Sequence, residues 1–346
     1  MLVGLDWHQN GPSTVVVMRP DGSIISTRTI PATWLVDEHA VGAYMLVAND
    51  GSGKGWTVDA TGTVTEVAPA AAAFLSPPAD GSGWTPPLIV DSTTAVTVGF
   101  TNDTVTAYQV NLGNGAVKSL LTTPQTHSMG PVPLLLLDVS RDRKTVWVRK
   151  VTDGASSRVE IVGIDLKTGT VNTLGDATAL GGEDMGISPD GKLVAAQEDA
   201  GVDSTNLAIR HLHVLALGRN VDSDVQGTAP YTGGQRSPSV LFAPGAASVA
   251  WWGGIDNGSI TFAVNVAPVG GAGRNLYQLD TNRPQMTHII EAVYWVDSGT
   301  LVVQTDSTST PGVFRGEGLQ AFTIDAATGA QKPLPDTLHY VVAVLS

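Results

Sequence analysis

A hairpin that returns seven times limits what this chain can fold into. An alternating apolar strand enters a tight turn of Asp or Asn with Gly, and a second short strand leaves it. Copies run over residues 15–26 around Gly22, 56–67 around Gly62, 108–118 around Gly115 and 161–171 around Gly169. Others run over 276–283 around Asn282 and 322–332 around Gly329, and a degenerate copy follows Gly218. The marks are separated by 40, 53, 54, 49, 64 and 47 residues, and the wrap from 329 to 22 adds 39. The mean of about 49 suits a four-stranded blade, a unit that cannot cover its own apolar faces and needs neighbours on both sides.

A second strand–turn–strand element precedes most of the hairpins. Met185-Gly-Ile-Ser-Pro-Asp-Gly-Lys-Leu-Val is its clearest copy, and Leu137-Asp-Val-Ser-Arg-Asp-Arg-Lys-Thr-Val its second. Residues 241–251 and 294–303 carry looser ones. Ser188-Pro189-Asp190-Gly191-Lys192 resembles the signature of the TolB-like (PD40) propeller repeats. Ile164 to Val171 is similar to the matching hairpin of those proteins and of YncE-like propellers. The first two repeats lack the Ser-Pro-Asp-Gly element. The resemblance implies a fold and transfers no catalytic residues.

The expected architecture is all-β: one seven-bladed β-propeller domain over residues 1–346. Its blades fall near 339–346 with 1–31, then 32–70, 84–124, 132–176, 183–228, 237–284 and 288–335. The C-terminal segment from His339 offers one strand without a hairpin, and the N-terminus offers three, so the two chain ends share one blade and hide two sheet edges.

Composition agrees. The 346 residues include 25 Asp against 7 Glu, with 39 Gly and 20 Pro, which favours turns over helices. There is no Cys, so disulfides and Cys-ligated metals are excluded. The net charge of −13 argues against nucleic acid and against an anionic membrane surface. No stretch reaches the roughly 20 apolar residues of a membrane span. No secretory signal is visible. The abundance of Thr, Gly and Ala with little Lys suits a bacterial protein outside the cytoplasm whose leader has been removed; the alternative is a cytoplasmic protein.

No reactive motif assembles along the chain: Gly-x-Ser-x-Gly and phosphate-binding loops are missing. Candidate groups are therefore scattered. Glu183 and Asp184 enter the best-defined repeat just before its first strand, Glu291 takes a similar position in another, and His339 stands near the closing strand. Carboxylates and a His converging at a channel mouth would supply acid and base. Trp84, Trp252 and Arg315 are candidate ligand contacts, Arg315 within the long segment 306–318. Trp251 and Trp252 must face opposite sides of a strand, and packing between blades is the plainer role. His211 and His213 share one side of a strand, which reads as a solvated strand face, the sharper alternative being a two-His half-site for which no third ligand is evident; Asp199 and Asp203 share one loop that lacks the calcium-loop pattern. Arg141, Arg143, Lys144, Arg149, Lys150 and Arg158 form a basic run that reads as a solvated strand face or a patch for an acidic partner. No metal and no cofactor is expected.

The first functional reading is a monomeric, non-catalytic propeller that binds a protein or glycan through its loop-rich face. The rival is a lyase or a lactone or glycan hydrolase that uses Glu183, Asp184, Glu291 and His339.

Overall fold

The computed structural model describes residues 1–6, 12–31, 34–40, 43–47, 54–75, 85–125, 132–152, 158–180, 185–202, 208–217, 221–225, 240–256, 260–281, 289–306, 319–335 and 341–344. Among them, strands form seven antiparallel sheets of four. Six sheets are built from strands contiguous in the chain. Sheet 2 holds Trp34–Ala40, Ala43–Val47, Gly55–Asp59 and Val64–Glu66, and sheet 3 holds Thr85–Asp91, Thr94–Phe100, Thr104–Asn111 and Val117–Pro124. Sheet 4 holds Leu134–Val139, Thr145–Thr152, Arg158–Asp165 and Val171–Asp176. Sheet 5 holds Met185–Ile187, Leu193–Val202, Ala208–Ala216 and Val221–Val225, and sheet 6 holds Val240–Phe242, Ser248–Asp256, Ile260–Pro268 and Arg274–Thr281. Sheet 7 holds Ile289–Trp295, Thr300–Asp306, Leu319–Asp325 and Gln331–Pro333. Sheet 1 is composite, with the C-terminal strand Val341–Val344 pairing beside Leu2–Asp6, followed by Ser13–Met18 and Ile24–Ile30.

The chain divides into two compact units. The first spans Met1–Arg19, Ser23–Thr178 and Val342–Ser346, and the second spans Pro20–Gly22 and Ala179–Val341.

In the first unit, first strands lie side by side: Trp34–Ala40 packs on Thr85–Asp91, which packs on Leu134–Val139. Sheets 3 and 4 then cover each other's faces. Val96, Val98, Val105 and Ala107 meet Leu134, Val146, Val148, Val162 and Ile164 in one apolar cluster. The opposite face of sheet 3 is covered by α1 (Pro69–Leu75), whose Ala71, Ala72 and Leu75 pack on Ile89, Ala95, Val110 and Leu112. This helix departs from the all-β expectation. Its run of alanines fits the narrow space: a Cβ on Gly115 would come within 2.5 Å of the Ala70 Cβ.

The second unit repeats the plan. Val240–Phe242 lies between Met185–Ile187 and Ile289–Trp295. Trp251 joins Ala195, Leu212 and Val214 of sheet 5, while Trp252 joins Val293, Leu301, Val303 and Ile324 of sheet 7. The paired tryptophans thus fill the two interfaces of one sheet. Pro20–Gly22 groups with this unit, and Lys332 Nζ donates to the Asp21 carbonyl at 3.4 Å.

First strands side by side within each unit, exposed fourth strands and sheets buried on both faces are the arrangement of propeller blades, and the fold is an all-β propeller. Each buried Val or Leu side chain contributes roughly 1.5–3 kcal/mol, so face-to-face packing is the dominant favourable term. Polar links add register. Fourth-strand side chains reach backbone carbonyls in or beside the hairpin turn of the following sheet: Ser26 Oγ to Gly62, Lys118 Nζ to Leu166 and Lys167, and Arg274 Nη2 to Ala326.

The turns follow the repeat. Gly22, Gly62, Gly115, Gly169 and Gly329 all have positive φ, between 74° and 91°. In the preceding element, Ser188 N bonds to Leu193 O and Gly191 N to Ser188 O. Ser140, Thr145 and Arg143 repeat that frame, as do Ala243, Ser248 and Ala246. Gly191, Arg143 and Ala246 therefore occupy one left-handed position, with φ of 71°, 60° and 56°. Only glycine takes that conformation without steric cost.

Two outcomes follow from this architecture. Ala246→Gly should raise stability in urea by roughly 0.5–1 kcal/mol, because relief of the left-handed strain exceeds the added chain entropy; a loss would mean the turn is not left-handed. Deleting residues 340–346 removes the strand Val341–Val344 and should lower the melting temperature by ten degrees or more, whereas an unchanged melt would contradict its pairing in sheet 1.

Candidate functional site

The two ends of each sheet are built differently. In an antiparallel meander, first-to-second and third-to-fourth connections share one end. Here every one of them is two to five residues long. At the other end lie the second-to-third connections, up to the twelve residues of 307–318, and the links between sheets, which include the fourteen residues of 226–239 and the eighteen of 67–84 that carry α1.

The short end is held by side chain to backbone hydrogen bonds. Asp165 Oδ1 accepts from Thr168 N at 2.7 Å and from Thr168 Oγ1 at 2.8 Å, and Asp325 makes the same bonds with Thr328. Asp59 does so with Thr61 and Thr63. The backbone amide of Thr168 holds the Asp165 carboxyl below the usual range, and the Thr328 hydroxyl does the same for Asp325. At Asp59 partial burial pushes upward but is outweighed by the Thr61 and Thr63 bonds. Ser188 Oγ donates to Asp190 at 2.7 Å and accepts from Leu193 N at 2.9 Å, and Ser140 repeats this with Asp142 and Thr145. The Ser-x-Asp signature is thus a turn lock, and these carboxylates are structural.

Of the residues singled out in the sequence, Glu183, Asp184, Trp84, Arg315 and His339 lie outside the described residues. Glu291 falls inside the first strand of sheet 7 rather than before it. Ile290 pairs with Thr305 and Ala292 with Gln304, so Glu291 is the bulged residue between them. Trp252 is 9% exposed and packs between sheets 6 and 7, which corrects its candidacy as a ligand contact.

Asp199, read as sharing a loop with Asp203, lies in the strand Leu193–Val202 opposite Arg210; Asp203 lies outside the described residues. His211 pairs with Glu198, and His213 lies between Ala196 and Asp224. Among the described residues no group of three His, Asp or Glu could hold a metal ion.

The basic run is also corrected. Arg149 is 2% exposed, with Nη2 donating to the Val132 carbonyl at 3.2 Å. Lys150 pairs with Glu160 at 3.4 Å, and Arg158 pairs with Glu160 at 3.6 Å and Asp176 at 3.2 Å. Lys150, Glu160 and Asp176 stand directly opposite one another across three strands. Lys144 pairs with Asp142 at 3.6 Å. Four of the six cations are thus buried or neutralised within sheet 4, and no uniform basic face remains.

One acid stands out that the sequence reading passed over. Asp138 lies in the first strand of sheet 4 just after a bulge at Leu137, opposite the buried Trp147. It is half-buried, and Leu135, Leu136 and Leu137 before it are half-buried too. Its Oδ1 accepts from Val139 N at 2.6 Å. Burial pushes its carboxyl up to about 6, against the smaller opposing effect of that bond. The signal lay in the repeat: two residues before Ser140, Ser188, Ala243 and Val296 stand Asp138, Gly186, Leu241 and Tyr294, and of these four Asp138 is the one carboxylate.

No protein-family model and no curated protein matches the chain. Solved structures do. A protein from Lactobacillus plantarum is 12% identical over 99% of this chain and 96% of its own, with a TM-score of 0.52. TolB from Acinetobacter baumannii is 14% identical over 97% of this chain and 79% of its own, with a TM-score of 0.47. An oligogalacturonate lyase in complex with manganese is 13% identical over 70% of this chain, with a TM-score of 0.43, and the chain spans 61% of its length. The likeness to the Lactobacillus protein is one of fold. TolB stands among the similar structures, as the Ser-Pro-Asp-Gly repeats imply.

Proposed function

We propose that the chain is a seven-bladed propeller, with the composite sheet as its closing blade, that serves as a binding module outside the cytoplasm. The end of each sheet with the longer connections would recognise a protein or glycan. The observation that carries this reading is the contrast between the two ends. Short turns pinned by Asp, Thr and Ser give a rigid frame, and recognition is disproportionately placed on loops that such a frame positions. Segments 226–239 and 307–318 are the longest connections of the second unit, and Arg315 belongs to the latter. The location outside the cytoplasm rests on composition alone.

The test is a glycan array and a displayed peptide library probed with the full chain, then with residues 307–318 replaced by an equally long Gly-Ser segment. The reading expects one ligand class to bind, the replacement to weaken it at least tenfold, and the melting temperature to stay within about a degree. Intact binding after the replacement would contradict it. Release of a chemically altered glycan, abolished by Glu291→Gln, would favour the rival lyase or hydrolase instead.

A further inference from the structure

The hairpin turns of sheets 3, 4 and 7 share one construction. Gly115 N donates to Asn111 O at 2.8 Å, Gly169 N to Asp165 O at 2.7 Å and Gly329 N to Asp325 O at 2.8 Å. The residue before each glycine then supplies an acceptor to the amide two positions on. Thr168 Oγ1 accepts from Thr170 N at 3.1 Å, and Thr328 Oγ1 from Ala330 N at 3.2 Å. In sheet 3 that residue is Asn114, whose Oδ1 accepts from Ala116 N at 2.9 Å. A hydroxyl meets the requirement of the turn in two sheets, and a carboxamide meets it in the third.

The carboxamide brings a carbon that a nucleophile can attack, and the ring closed by its bond to Ala116 contains the Gly115 nitrogen. Asn114 is exposed, so water reaches it. Gly115 is fixed by two constraints: its φ is 74°, and a Cβ there would come within 2.5 Å of the Ala70 Cβ and 3.1 Å of the Ala71 nitrogen. Lacking a side chain, it leaves its own nitrogen unhindered. The bond from that nitrogen to Asn111 has to open before it reacts, so the folded turn slows the step without preventing it. The same turn carries α1. Ala68 N donates to the Leu112 carbonyl at 2.8 Å, and Leu112 packs with Ala71, Ala72 and Leu75. Two other Asn-Gly pairs, at 10–11 and 257–258, lie outside the described residues.

We propose that Asn114 is a site of spontaneous covalent modification, and that its isoaspartate product releases α1 from sheet 3. The Gly115 nitrogen attacks Asn114 Cγ. The bond from Cγ to the side-chain nitrogen breaks, and ammonia leaves with the proton given up by Gly115, which closes a succinimide. Water is the one co-reactant, and nothing is oxidised or reduced. Hydrolysis of the bond between Cγ and the Gly115 nitrogen gives aspartate in an unaltered main chain. Hydrolysis of the bond between the main-chain carbonyl and that nitrogen gives isoaspartate, whose main chain runs through Cβ and is one methylene longer. Aspartate keeps an acceptor for Ala116 N. Isoaspartate displaces Gly115, and the space against Ala70 and Ala71 is too narrow for even a Cβ.

Peptide mapping of the full chain, before and after incubation in mildly alkaline buffer, reads the amide-to-acid mass change at position 114. Electron-transfer fragmentation separates isoaspartate from aspartate. Both isomers are expected there, whether or not any variant folds. In the isoaspartate-bearing chains the amides of Ala71 and Ala72 should exchange hydrogen about tenfold faster than before incubation. They should stay slow in Asn114→Thr after the same incubation, which controls for the other Asn-Gly pairs. They should also stay slow in Asn114→Asp, which adds the charge without lengthening the chain. The proposal is overturned by an Asn114 that stays an amide in the folded chain while it converts in urea. It is equally overturned by α1 amides that are as slow with isoaspartate as without it, or by an equal loosening in Asn114→Asp.

Discussion

Burial of both faces of every sheet is the constraint on which this structure depends. An antiparallel sheet usually keeps one face wet and reads as alternating apolar and polar residues. Here consecutive residues are buried: Val146, Trp147, Val148 and Arg149 in sheet 4, and Val249, Ala250, Trp251 and Trp252 in sheet 6. Odd and even residues serve different interfaces. A sheet with two apolar faces cannot stand alone, so each unit grows by stacking. First strands abut, and the fourth strands take the solvent edge.

Electrostatics is subordinate to this packing. The chain carries a net charge of −13, yet the described carboxylates of the tight turns are occupied by backbone amides and hydroxyls, and those of sheet 4 by Lys and Arg. Exposed pairs of this kind contribute little stability individually. They fix turn geometry and strand register. Asp138 differs: its carboxylate accepts from the Val139 amide, and burial pushes it up to about 6.

Much of the fold was legible in the sequence because its signals are local and repeated. The turn glycines marked the hairpins since a left-handed φ demands them, and the Ser-x-Asp pattern marked the preceding turns since its hydroxyl and carboxylate close a ring of bonds within five residues. The helix Pro69–Leu75 was not legible, because a run of alanines carries no periodicity, and its fit depends on Gly115 more than 40 residues away. Arg149 read as solvated because alternation cannot distinguish a wet face from one covered by another sheet. Asp138 passed unremarked inside the element that begins at Leu137, because alternation does not show the bulge at Leu137 that keeps it within the strand. The candidate site was the least legible part, since recognition spread over connections leaves no linear motif, and Trp252 shows that a tryptophan beside glycines can be wholly a packing residue.

Amide hydrogen exchange across the whole chain tests the stacking account most directly. If face-to-face burial governs stability, protection should follow strand rank in every sheet. The second strands, Thr94–Phe100, Thr145–Thr152, Ser248–Asp256 and Thr300–Asp306 among them, should exchange slowest, and fourth strands such as Val171–Asp176 and Gln331–Pro333 fastest. Protection that varies from sheet to sheet without regard to strand rank, with one sheet exchanging freely throughout, would contradict it.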